Sequence, residues 1–92
     1  MKLVYTIDEQ LIELEEIPNG DDVEFSLTLL DKELKKRIAE IRDYFNTNNI
    51  VTDAQVYIHP NNKYQIIVRK DFYYDFVLQL FKHQLLLELK WV

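Results

Sequence analysis

The sequence predicts an α+β fold: a mainly antiparallel sheet of five or six strands with two helices on one face, in a single domain over residues 1–92. Three observations lead there. Val23, Phe25, Leu27 and Leu29 alternate with Glu24, Ser26 and Thr28, which is the period of a strand with one wet side. Leu34, Ile38, Ile41 and Phe45 recur at spacings of four and three, which is the period of a helix with one apolar stripe. A chain of 92 residues, 48% of them hydrophobic, can bury a core without staples and is not of the disordered type.

Taken in order, residues 2–7 (KLVYTI) are rich in strand formers, and Asp8-Glu9 can turn them. Residues 10–17 (QLIELEEI) alternate imperfectly, with Ile12 and Leu14 on one face. Residues 18–20 (PNG) are the strongest turn signal in the chain, because Asn and Gly tolerate the positive φ of a hairpin turn. The strand at 23–29 follows.

Residues 31–46 then form a helix, capped by Asp31 or by Thr28, with Glu33 and Arg37 an i,i+4 pair in the favourable order. NTNN at 46–49 ends it. Residues 51–59 (VTDAQVYIH) alternate again, with Ala54, Val56 and Ile58 inward. A turn at 59–62 leads to residues 63–70, with Tyr64, Ile66 and Val68 inward. The outer face of this second hairpin carries Asp53, Gln55, Tyr57, His59, Lys63, Gln65, Ile67 and Arg69.

The last third is apolar on almost every side. From Asp71, a good N-cap, the polar residues Asp71, Asp75, Gln79 and Lys82 form one narrow stripe of a helix over 71–82. Past Lys82 the stripe fails, because Leu86 falls where a polar residue belongs and Gln84 and Glu88 fall on the apolar side. Residues 85–92 fit a strand, with Leu85, Leu87, Leu89 and Trp91 on one face. Helix propensity in HQLLLELK opposes this, and no Gly or Pro marks the break placed near His83–Gln84.

From Val23 onward the element order is strand–helix–strand–strand–helix–strand, which resembles the split βαβ of ferredoxin-like domains. That arrangement places the strand at 23–29 between two partners already assigned. The turn at 18–20 wants the strand at 10–17 beside it instead. The two cannot both hold, but both versions share the antiparallel sheet with helices on one face.

Composition excludes several chemistries. There is no cysteine, hence no disulfide, thiolate metal site or cysteine nucleophile. One glycine argues against a phosphate-cradling loop. No apolar run approaches the roughly 20 residues of a membrane span, and no signal-peptide core follows Lys2, so a cytoplasmic protein with no membrane partner is expected. Between Asp8 and Glu24 stand eight acids and no base, within a net charge of −5. That sign speaks against nucleic acid.

Candidate sites are correspondingly few. His59 sits at a turn and His83 near a helix end, and no spacing rule joins either to Asp53 or Asp71 as a catalytic pair. Ser26 is the only serine and lies mid-strand, not at the sharp turn a nucleophile uses. The acids Glu13, Glu15, Glu16, Asp21, Asp22 and Glu24 do not match an EF-hand loop. They read as solvated strand-edge charge, or as an acidic face for a basic protein. No cofactor or metal is expected.

In the second helix, Phe72, Phe76, Leu80 and Val77 suffice to pack the sheet. Tyr73, Tyr74, Leu78 and Phe81 are left on its flanks, either as further core wedged against the neighbouring helix or as a protein interface, first of all with a second copy of the chain. The expected function is that of a small acidic, non-enzymatic protein-interaction domain (accessory, regulatory or inhibitory). A small-ligand regulatory domain with its site at a dimer seam is the alternative.

Overall fold

The computed structural model describes residues 1–47 and 54–92. Its elements run β1 (Leu3–Ile7), β2 (Ile12–Asn19), β3 (Asp22–Leu29), a 3₁₀ turn (Lys32–Leu34), α1 (Lys35–Thr47), β4 (Ala54–His59), β5 (Lys63–Arg69), a second 3₁₀ turn (Lys70–Phe72), α2 (Tyr73–Lys82) and β6 (Leu86–Trp91). The expected end of the first helix at 48–49, the start of a strand at 51 and the position of Asp53 lie outside the described residues. Among the described residues, six antiparallel strands in two sheets with two helices make an α+β fold.

The strands do not form one sheet. Four pair in the order β2-β3-β5-β4, and β1 pairs with β6 as a separate ribbon. In the ferredoxin-like arrangement β6 would lie beside β3; here β2 takes that place. The cause is local. Asn19 pairs with Asp22 across a two-residue loop, and Gly20 supplies its φ of +61° at no steric cost. That tight hairpin seats β2 against β3 before the distant β6 can compete. The last strand pairs with β1 instead, from Leu3 opposite Trp91 to Thr6 opposite Glu88.

One core lies between the four-stranded sheet and the helices. Phe25, Leu27, Leu29, Tyr64, Ile66 and Val68 face inward from the sheet, and Leu34 of the 3₁₀ turn with Ile38, Ile41 and Phe45 of α1 meet them, all buried. The Phe25 ring lies 4.6 Å from that of Phe76 on α2, and Phe76 lies 6.2 Å from Phe45 on α1. Removing a ring such as Phe25 would cost about 3–5 kcal/mol.

Several local expectations need correction. Asp31 is the cap, accepting from the Glu33 amide at 3.0 Å, but it caps the 3₁₀ turn that precedes α1. Asp71 caps nothing. The second 3₁₀ turn starts at Lys70, directly off β5, so Asp71 falls inside the first turn. There a carboxylate meets the positive end of the helix rather than an open amide. Arg37 does not turn to Glu33; its Nη1 donates to the His83 carbonyl at 3.1 Å. Gln79, read as part of a polar stripe, is only 8% exposed. At the start of β6, Leu86 and the preceding Leu85 are both buried while Leu87 is exposed, because the register slips between Thr6 and Ile7 and leaves Leu87 unpaired.

The break after α2 falls where expected. The Leu85 amide reaches the Leu80 carbonyl and the Gln84 amide the Phe81 carbonyl, each at 3.0 Å. This is the double closure of a Schellman end. Gln84 holds the left-handed position, φ 64°, that glycine usually fills.

Candidate interaction surface

Helix α2 is embedded on one side only. Phe76, Val77 and Leu80 are fully buried, as their spacing requires. Tyr74, Leu78 and Phe81 follow one another at i, i+4 and i+7 along the opposite side. They are 48%, 48% and 44% exposed. Trp91, at the end of β6, meets Tyr74 edge-on at 5.3 Å and is itself 53% exposed. Four large side chains therefore make one open apolar stripe across two elements. Alternation puts Trp91 on one face of a strand with Leu85, Leu87 and Leu89. Only the pairing of β6 with β1, which no local pattern announces, brings it to α2.

Tyr73 is placed differently from its three companions. Its ring stacks near Phe25 at 5.9 Å, and its hydroxyl donates to Glu16 Oε2 at 3.0 Å. The Tyr5 hydroxyl of β1 donates to the same oxygen. One carboxylate on β2 thus joins β1 to α2. Burial first, and the Glu16 charge and hydrogen bond after it, hold both phenols well above the ordinary tyrosine range.

The acids accordingly divide. Glu16 lies opposite Phe25, so it points to the helix side of the sheet. Glu13, Glu15, Asp22 and Glu24 point to the other side, opposite Thr28, Ser26, Asn19 and Ile17, and Asp21 sits in the hairpin loop. The same outer face carries Tyr57, Lys63, Gln65, Ile67 and Arg69, so it grades from an acidic β2 edge to basic positions on β5. Among the described residues no cluster of His, Asp and Glu could hold a metal ion.

The two histidines lie apart in role. His83 Nδ1 is 3.4 Å from Glu40 of α1, at the end of α2, and His59 Nε2 is 3.4 Å from Gln65 Oε1. Ser26 is exposed mid-strand. No helix among the described residues is long and apolar enough to cross a membrane.

No protein-family model, curated protein or solved structure matches the chain.

Proposed function

We propose that the chain is a small non-enzymatic protein-interaction domain that associates with a second copy of itself through α2. The observation that carries this is the open stripe of Tyr74, Leu78, Phe81 and Trp91. Aromatic side chains carry about 150–250 Å² each, so at the exposures above the stripe leaves on the order of 400 Å² uncovered. Two copies meeting there hide about 800 Å². Side chains beside the stripe extend this toward the roughly 1,200 Å² at which specific interfaces begin. Burying this apolar surface favours association, and rigid aromatic anchors keep the ordering cost of the interface low.

Charge favours a second copy over a foreign helix. Asp71 and Asp75 flank the stripe at the start of α2 and Lys82 flanks it at the end. An antiparallel pairing across a two-fold axis sets each Lys82 beside the acids of the other copy. The test is Tyr74→Glu with Leu78→Lys. The pair should give a folded monomer by light scattering with its circular dichroism kept. Unfolding would place these side chains in the core, and an unchanged dimer would place the interface elsewhere.

One observation favours a small ligand at the same seam. A hollow of about 440 Å³ opens beside the stripe, within the usual size of ligand sites. Tyr73 and Tyr74 line it together with Lys2 and Lys70. The two lysines suit an anionic metabolite, and a reproducible rise in melting temperature across an anionic metabolite panel would support this reading. The graded acids on the β2 side suit a basic protein partner, approached by long-range attraction.

A further inference from the structure

The two edges of the four-stranded sheet are built differently. β2 carries Glu13, Glu15, Glu16 and Pro18, and charge with proline hinders the addition of another strand. β4, AQVYIH, contains no Lys, Arg, Asp, Glu or Pro. Among the described residues it is paired with β5 alone, so its other side presents backbone N–H and C=O groups with no sheet partner among them. Tyr57, Ile58 and His59 are exposed in succession, so this end of the strand is open on both faces.

Ile58 is the most informative of these residues. It lies opposite Tyr64, on the side of the sheet that the helices cover, yet it is 65% exposed. Between it and α1 runs a groove of about 420 Å³. Ile38, Ala39, Val56 and Ile58 make it apolar, and Lys35 and Arg42 stand along its helix wall. They are seven residues apart on the helix, about 10 Å. Side chains on one face of an extended peptide repeat every ~6.6 Å, so two long cations can meet acids two or four residues apart. Arg42 has one ion pair, with its neighbour Asp43 at 3.9 Å, and Lys35 has none among the described residues. In a chain of net charge −5 this groove is a local basic exception.

We propose that the β4 edge is a docking site for an extended acidic segment of another protein. The segment adds as a further strand, with its backbone bonded to β4, an apolar side chain over Ile58 and Ile38, and acids beside Lys35 and Arg42. Charge decides against a second copy here. Pairing β4 with β4 across a two-fold axis would bring the Lys35 and Arg42 of each copy toward those of the other, which like-charge repulsion opposes. The inference does not depend on α2.

The probe is an end-capped, fluorescein-labelled peptide of about nine residues alternating Glu and Val. Anisotropy should show saturable binding, with amide shifts confined to β4 and the start of α1 by NMR. Lys35→Glu with Arg42→Glu should weaken it by roughly tenfold or more while circular dichroism is kept. Methylating alternate backbone nitrogens of the peptide should abolish binding with the protein untouched. A Lys–Val peptide should bind at least about tenfold more weakly. Absence of binding up to about 1 mM, survival of binding after N-methylation, or equal binding of the Lys–Val peptide would overturn the proposal. So would a self-association lost on Ile58→Lys but kept in Tyr74→Glu/Leu78→Lys, since a second copy would then occupy the edge.

Discussion

Glu16→Ala separates the two kinds of acid in this chain. Glu16 Oε2 accepts from both Tyr5 and Tyr73, so one truncation releases two hydroxyls and unties β1 and α2 from β2. A hydrogen bond to a charged group is worth about 1.5–3 kcal/mol. Glu16 is exposed, so water takes up much of the loss and about 1.5 kcal/mol in total is expected. For a domain of this size that lowers the melting temperature by about 6–12 °C. Glu13→Ala and Glu15→Ala, with no hydrogen-bonded partner among the described residues, should stay within about 0.5 kcal/mol of the parent.

The same cluster sets the alkaline limb. Both phenols titrate above the ordinary tyrosine range when folded. Their contribution is therefore full below the unfolded value of about 10 and is lost as pH rises above it, because the unfolded phenols release protons first. The ceiling is about 1.4 kcal/mol per group per pH unit. Half-open side chains halve it, giving about 1–1.5 kcal/mol for the two between pH 10 and 11. In Glu16→Ala the phenolate absorbance should rise at lower pH than in the parent. Equal melting temperatures for the Glu16, Glu13 and Glu15 variants, with an unshifted phenolate titration, would refute the reasoning.

Other outcomes follow from single positions. Gln84→Gly should stabilise by about 0.5–1 kcal/mol, because φ 64° strains a side chain and not glycine; an unchanged or lower melting temperature contradicts the end assigned to α2. Gln79→Met should raise stability by about 1 kcal/mol, because a nearly buried amide with no side-chain hydrogen bond among the described residues is replaced by an apolar chain of similar shape. Denaturant midpoints measure this, and a loss would mean that the amide is paired. Glu13→Gln with Glu15→Gln and Asp22→Asn should leave the melting temperature nearly unchanged. The triple variant should bind a Lys-rich peptide more weakly and with less salt dependence.

Much of the fold was legible because its signals were local. Alternation at 23–29 and the step of four and three through Ile38 and Phe45 gave strand and helix directly, and the turn at 18–20 gave the hairpin. The partner of β6 was not legible, since pairing with β1 spans almost the whole chain and leaves no short-range pattern. Two further errors share one cause, a neighbour outside the window. A bulge against β1 turned Leu87 outward, and the helix end at His83 drew Arg37 away from Glu33. At the surface, Tyr74, Leu78 and Phe81 showed themselves by being surplus to one helix face. Tyr73 could not be told from them, because its role depends on Glu16, 57 residues away in sequence.

Sedimentation equilibrium of the wild-type protein across a wide concentration range tests the central claim most directly. A single monomer–dimer equilibrium is expected, with the dimer prevailing at the upper concentrations. The emission of Trp91, the only tryptophan, should shift to shorter wavelength with the same midpoint as the mass. A monomer mass at every concentration, with Trp91 emission unchanged, would contradict it and leave the α2 stripe without a second copy to cover it.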